Sequence, residues 1–182
     1  MNRTLPFLAV ACLLLPAGCF SSSAPAPAVR WFDPLASARD AAPAGERAKD
    51  AVAAIVARAD VVPSTFLDRE IALRVGDDEL AFDDDHRWLR APHELVAEAL
   101  LRCGVGANSS DGVTVHVVAF EFDLRDGPQA RVRLAVHRGG DPVGDANATV
   151  AAERPGVDAL VRAAGDALAR AAEDVRKQLT GR

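Results

Sequence analysis

Apolar and polar residues alternate along several short segments of the chain, and this period of two predicts β-strands. Ile71 to Val75 alternates, Gly76-Asp77-Asp78 supplies a turn, and Glu79 to Phe82 returns, so the three segments together predict a β-hairpin. The same pattern predicts four further strands, at Val29 to Asp33, Val113 to Phe122, Ala130 to Val136 and Ala148 to Ala152.

The pattern leaves two questions open. In the segment from Val113 to Phe122, the three valines at 113, 115 and 117 share one parity, whereas Phe120 and Phe122 take the other. Either a β-bulge separates the two sets or both faces of the strand are covered. The segment Ala51 to Val62 fits a helix through its alanines and a strand through its valines.

Two segments repeat their apolar residues at helical spacing. The first begins at Pro92, carries an apolar face that reaches Cys103, and meets a suitable stop at Gly104. The second is a long helix from about Val157 to Leu179. The order of strands and helices predicts an α+β fold, in which a mostly antiparallel or mixed sheet forms one layer and the two helices form the other.

The first residues are typical of a bacterial lipoprotein signal. Arg3 precedes the uncharged apolar run Leu5 to Leu15, which at about 1.5 Å per residue is too short to cross a hydrocarbon core of about 30 Å. Leu15-Pro16-Ala17-Gly18-Cys19 resembles the lipobox, although Pro16 stands where an aliphatic residue is usual. We therefore expect a signal peptide at 1–18 and lipidation of Cys19 by acyl chains such as palmitate. A soluble secreted protein is the alternative.

The residues after Cys19 indicate how the protein is held. The segment 19–28 is rich in Ser, Pro and Ala and predicts a semi-extended tether, followed by one domain over 29–182. Phe20, rather than an aspartate, follows the cysteine, which favours the outer membrane of a two-membrane bacterium with the domain facing the periplasm.

Charge and cysteine content narrow the class of protein further. Lys and Arg number 21 against 26 Asp and Glu, and the net charge of −5 argues against nucleic-acid binding. An acidic body is repelled by anionic headgroups, so membrane attachment would come from the lipid anchor itself. Cys12 leaves with the signal peptide and Cys19 is lipidated, so Cys103 remains alone, and we expect it to be buried and inert.

The sequence shows no catalytic or metal-binding motif. His93-Glu94 begins like the zinc motif H-E-x-x-H, but Ala97 stands where the second histidine is needed. His116 and His137 lie on neighbouring predicted strands and could meet, yet two imidazoles without a third ligand make a poor zinc site. Asp83-Asp84-Asp85 lacks the spacing of a calcium loop and is interpreted as a solvated strand-to-helix connection. We expect no enzymatic activity, no cofactor and no bound metal.

Several short motifs occur here in a characteristic order. Phe66-Leu67-Asp68-Arg69 precedes the hairpin, Arg87-Trp88 precedes the helix that starts at Pro92, and Phe120-Glu121 closes a late strand. In this order they resemble the ABC-type transport auxiliary lipoproteins, the PqiC-like family. The family often has an acidic residue before the proline, where this chain has Leu89-Arg90-Ala91. The resemblance covers roughly residues 28–180, with its specific part at 66–103.

The resemblance implies a function and partners. Such a protein would be a non-catalytic auxiliary component of an ABC system of the MCE type, which moves phospholipid or other hydrophobic molecules. Its partner would be the MCE-domain protein, with the permease and ATPase engaged indirectly, and a homo-oligomer is possible. We expect docking through a strand edge or through the hairpin Gly76 to Phe82, because sheet edges offer unpaired backbone groups.

Trp88, with Arg87 and Arg90 beside it, has two interpretations. The indole fastens the helix to the hairpin, or the three residues form a partner-binding site, since Trp and Arg are common in binding hot spots. Two further functions stay open at this point. A periplasmic lipid- or small-ligand-binding protein would need a sizeable apolar cavity, and an envelope hydrolase would need a nucleophile and a base in contact.

Overall fold

A computed structural model describes residues 28–36, 59–62, 68–105 and 112–181. The signal peptide, Cys19, nearly all of the tether and the motif residues Phe66-Leu67 lie outside the described residues, as does most of the segment 51–62. Within the described residues the fold is α+β, as the sequence predicts. None of the described helices is both long and apolar enough to span a membrane.

The described residues form seven strands and two helices. In chain order they are β1 (Arg30–Phe32), β2 (Ala59–Val62), β3 (Glu70–Arg74), β4 (Leu80–Trp88), α1 (Pro92–Arg102), β5 (Val113–Asp123), β6 (Gln129–Arg138), β7 (Asp141–Ala151) and α2 (Val157–Thr180). The predicted hairpin, both predicted helices and all four further predicted strands are therefore present.

All seven strands join one mixed sheet. Its order is β1-β4-β3-β5-β6-β7, and β2 also pairs with β5. The strands β2 and β3 lie end to end along one side of β5, where β2 is parallel to residues 113–116 and β3 is parallel to residues 121–123. β1 is parallel to β4, and the pairs β3/β4, β5/β6 and β6/β7 are antiparallel. Half of the six pairings are thus parallel, more than the sequence pattern predicts.

A β-bulge in β5 explains why the valines and the phenylalanines of this strand occupy positions of opposite parity. The pairing of β5 with β6 shifts register between Val117 and Ala119, so Val118 is the extra residue and lies exposed. On both sides of the bulge the bulky apolar residues then point to the same, buried face. They are Val113, Val115, Val117, Phe120 and Phe122.

Both helices cover that buried face. α2 packs on β6 and β7, and α1 lies beside α2 against β2 and β5. The buried stripe of α2 is rich in alanine, so the helix approaches the sheet closely. Larger side chains fill another part of the core, where Trp88 meets Phe120 and Phe122 edge to face at ring-centroid distances of 5.2 and 5.6 Å.

The acidic run lies within a strand, which corrects its interpretation as a strand-to-helix connection. β4 extends to Trp88, and β1 pairs with residues 86–88. The Oδ1 atom of Asp83 accepts the backbone N–H groups of Asp85 (2.9 Å) and His86 (3.1 Å). These local bonds and a register shift opposite β3 make this part of the strand irregular. These polar side chains make local hydrogen bonds and give no alternating apolar pattern, so the sequence does not predict a strand here. The backbone pairing of β4 is regular only at the two ends of the strand.

β7 is longer than its prediction, which begins at Ala148. It starts at Asp141, directly after Gly139 and Gly140, whose φ angles are +60° and +93°. Two residues with positive φ form the tight turn that joins antiparallel strands, and Gly-Gly is one of its sequence signals. The first half of β7 contains Pro142 and Gly144, which are poor strand formers, so its extended structure depends on pairing with β6.

The segment after β1 contacts both helices. Leu35 is buried in the core, and its carbonyl accepts a hydrogen bond from Arg102 Nη1 at 3.4 Å. Next to it, the backbone of Pro34 lies against Gly165 of α2, so closely that a Cβ at Gly165 would overlap the Pro34 carbonyl oxygen. Only glycine therefore allows α2 and this segment to be in contact.

The substitution Gly165→Ala is expected to lower the free energy of unfolding by about 1–3 kcal/mol, the usual cost of overpacking. Helix propensity alone would change stability by about 1 kcal/mol in the opposite direction, so the sign separates the two effects. Urea unfolding checks this, with Ala169→Gly at an exposed position of the same helix as a control for propensity. A Gly165→Ala variant as stable as the wild type would contradict the close contact.

Candidate functional site

Trp88 is part of the core. Its side chain is 1% exposed and packs against two phenylalanine rings of β5. The indole Nε1 is buried and finds no acceptor among the described residues. This geometry supports the first, structural interpretation, because Trp88 fastens the end of β4 to the rings of β5. Trp88 therefore offers almost no surface for direct contact with a partner.

Arg87 and Arg90 are both engaged within the fold. Arg87 Nη1 donates to the backbone carbonyls of Asp83 and His86, the latter at 2.9 Å. Arg90 donates to Glu98 of α1, and its Nη2 lies 3.3 Å from Oδ1 of Asp33, after β1. Arg90 thus connects β1 to α1. A role of these two arginines in partner binding stays a prediction.

Of the other residues singled out in the sequence, the described ranges bring two histidines together. His116 and His137 do meet on the sheet, with ring centroids 5.0 Å apart. In the described ranges, no three His, Cys, Asp or Glu side chains gather as metal ligands. Cys103 is half-buried rather than fully buried, and its burial raises the pKa of its thiol, which disfavours the reactive thiolate.

A charged surface lies on the face of the sheet opposite the helices, which we call the open face. Because Phe120 and Phe122 point to the helices, their neighbours Glu121 and Asp123 point away. The strand register sets side chains in rows across this face, since paired residues of neighbouring strands share a side. One row contains Phe82, Ala72, Glu121, Arg131 and Thr149, and the next contains Leu80, Arg74, Asp123, Gln129 and Ala151.

Glu121 is a buried carboxylate in the middle of the open face. The residue is 5% exposed, and Arg74 of β3 donates to both of its oxygens, from Nε at 2.7 Å and from Nη2 at 2.9 Å. The hydrogen bonds to Glu121 raise the pKa of Arg74. Arg131 of β6 lies on the other side, with Nη1 at 3.6 Å from Oε1. A two-point bond of this kind fixes the guanidinium of Arg74 in one orientation.

Asp123 is the second buried carboxylate, one row further along. The residue is 3% exposed and accepts bonds from Arg125 Nε at 2.9 Å and Nη2 at 2.6 Å. These side-chain hydrogen bonds lower the pKa of Asp123 to about 2 and raise that of Arg125. Arg125 also donates to Asp77 in the turn of the β3–β4 hairpin. The hairpin is thereby tied to the end of β5.

A shallow depression of about 460 Å³ opens beside these ion pairs, above β5, β6 and β7. The polar side chains that line it are carboxylate, guanidinium, amide and hydroxyl groups, from Asp123, Arg125, Gln129, Arg131, Arg133, Asn147 and Thr149. Exposed Leu80 and Phe82 of β4 lie on the same face at some distance. The arrangement suits binding through charge and hydrogen bonds, with apolar contacts at one side.

The sequence pattern locates only part of this site. Alternation along β6 predicts that Arg131 and Arg133 point away from the core. The sequence motifs include Glu121 only as part of Phe120-Glu121, and no sequence pattern points to Asp123. Their burial depends on arginines from β3 and from the turn after β5. The change of parity within β5 is the signal in the sequence for the position of these carboxylates. A bulge that turns the phenylalanines to the core places both carboxylates on the opposite face.

Comparisons with known proteins support the fold. No family model matches the sequence, and no curated protein matches it. The crystal structure of XCC0632 from Xanthomonas campestris, described as a DUF330 protein, has a TM-score of 0.56 at 18% identity, covering 68% of this chain and 82% of its own. A crystal structure of an uncharacterized protein has a TM-score of 0.51 at 14% identity, covering 65% and 87%. At these identities the similarity shows the fold alone.

The pKa of Asp123 predicts a dependence of stability on pH. Its folded pKa of about 2 lies below the ordinary value of 3.8, so the pair with Arg125 contributes its full stability above about pH 4. That contribution is lost as the pH falls towards 2. Unfolding in urea between pH 5 and pH 2 should show a shallower acid slope for Asp123→Asn than for the wild type. Asp126→Asn, at an exposed site in the adjacent turn, is the control. An unchanged slope in Asp123→Asn would refute this assignment.

Proposed function

We propose that this protein is a non-catalytic docking component of an ABC transport system of the MCE type. In this proposal Cys19 anchors it by lipid to the outer membrane, and the domain faces the periplasm. The observation that carries the proposal is the open face, where buried Glu121 and Asp123 fix arginines in place and exposed Leu80 and Phe82 lie on the same surface. Preorganised polar groups beside apolar side chains are typical of protein-binding surfaces.

The sequence motifs supply the location and the partner in this proposal. The lipobox-like residues before Cys19 support a lipid anchor, and the tether at 19–28 separates the domain from the headgroups without fixing its orientation. The resemblance to auxiliary lipoproteins supports an MCE-domain protein as the partner. Such a system moves phospholipid or other hydrophobic molecules between membranes, and this chain would hold the partner at the outer membrane.

The open face favours docking over lipid carriage. A lipid carrier needs an enclosed apolar cavity for acyl chains. The depression on the open face is instead shallow and lined by charged and polar side chains. On the opposite face of the sheet, part of the core is occupied by Trp88, Phe120 and Phe122, which pack edge to face. Among the described residues, the polar depression and the packed aromatic rings therefore support docking over lipid carriage.

Co-purification tests the proposal. The lipidated protein, extracted in mild detergent, is expected to retain the periplasmic part of the MCE protein encoded next to it at low salt. The Cys19→Ser variant should lose its membrane location but keep this association, because the anchor and the docking surface are separate. An absence of association, together with a lipid recovered from the purified protein in stoichiometric amount, would contradict docking and support the carrier function.

A further inference from the structure

We infer that a patch on the open face binds an acidic, extended segment of a protein partner. The patch consists of Arg131, Arg133, Asn147 and Thr149, and we call it the arginine patch. This inference rests on the proposed function and adds the surface and the chemistry that the partner must present.

The spacing of the arginine patch fits an extended chain. Arg131 and Arg133 are two residues apart on β6, so they share a face at about 7 Å. On β7 they are paired with Thr149 and Asn147, both exposed, which add neutral hydrogen-bonding groups. In an extended partner, acidic residues at positions i and i+2 also share a face at about 7 Å. Two carboxylates of such a segment therefore reach two guanidinium groups at once.

The guanidinium group of Arg131 can donate hydrogen bonds to a partner. Its nearest carboxylate, Glu121, already accepts two hydrogen bonds from Arg74. Arg131 lies 3.6 Å from that carboxylate, longer than a good hydrogen bond, and its side chain is 36% exposed. A carboxylate from outside can approach the guanidinium of Arg131 without displacing the bond between Arg74 and Glu121.

Arg133 holds a partner that is easily exchanged. Its Nη2 lies 2.7 Å from Asp145 Oδ2, and both side chains are about two-fifths exposed. Exposed ion pairs of this kind contribute only about 0–1 kcal/mol. A carboxylate from a partner can replace Asp145 at little cost, particularly when it is part of a segment that also binds Arg131.

On the open face, guanidinium groups lie closer to the solvent than the buried carboxylates do. This arrangement favours an acidic partner, although the chain is acidic overall. Glu121 and Asp123 lie beneath the surface, with side chains 3% and 4% exposed, and the guanidinium groups lie above them. At Arg131 a partner therefore meets N–H donors before the buried carboxylates, whereas beside Arg133 it meets the exposed carboxylate of Asp145, which it would replace. The remaining negative charge of the chain is screened beyond about 8 Å at physiological salt, so close contacts dominate.

The first test removes the two charges together. In Arg131→Gln/Arg133→Gln, affinity for the periplasmic part of the MCE protein should fall about tenfold, and its dependence on salt should weaken. The matched control is Arg162→Gln/Arg170→Gln, which removes two exposed arginines from α2 and should change the affinity less than about twofold. Thermal unfolding verifies that both variants remain folded. Wild-type affinity in the first variant would overturn the inference and leave the proposed function intact.

The second test does not need the MCE protein. A fluorescent ten-residue peptide of alternating glutamate and serine is titrated with the full lipidated protein in neutral detergent, beside a peptide of alternating lysine and serine. Binding of the acidic peptide to the wild type, but not to Arg131→Gln/Arg133→Gln, supports the arginine patch even if the MCE protein fails to bind. Binding of neither peptide overturns the inference.

Two other occupants are distinguished in the same experiment. If micelles containing phosphatidylglycerol displace the acidic peptide, the patch binds the membrane and the inference is wrong. If the Arg131→Gln/Arg133→Gln variant changes the mass of the protein in light scattering, the patch joins copies of this chain and the inference is likewise wrong.

Discussion

One extra residue in the central strand decides which side chains face the helices and which face away. Without the bulge at Val118, the valines of the first half of β5 and the phenylalanines of the second half would point to opposite faces. With it, the rings of Phe120 and Phe122 join Trp88 in the core. Glu121 and Asp123 must then lie on the open face.

This placement creates an electrostatic requirement. A carboxylate that is nearly inaccessible to water is costly unless charged donors surround it, and removing one partner of such a pair is strongly destabilising. Arg74 donates hydrogen bonds to Glu121, and Arg125 donates to Asp123. Arg125 also donates to Asp77 of the hairpin. The carboxylates therefore connect β3, β5 and the hairpin turn. They also determine which arginines stay available above them, so the binding chemistry of the open face follows from the core.

Local patterns predicted the elements whose structure is locally determined. The hairpin has its turn residues, α1 has Pro92 and Gly104 at its ends, and α2 has an unbroken apolar stripe. The parallel pairing of β2 and β3 with β5 was not predictable, since it depends on contacts distant in sequence. The same holds for the site, where alternation predicts the orientation of Arg131 but cannot show that Arg74 donates to both oxygens of Glu121. For Trp88, the sequence leaves a structural role and a binding hot spot open, and the packing shows a core residue.

The central claim is that buried carboxylates hold Arg74 and Arg125 of the open face in place. A double-mutant cycle of Arg74→Ala and Glu121→Ala, measured by urea unfolding, tests it most directly. If the claim holds, each single variant loses about 3 kcal/mol, and the double variant loses little more than either, with a coupling of about 2 kcal/mol or more. Single losses that add up to the loss of the double variant would contradict it, because the two side chains would then be independent.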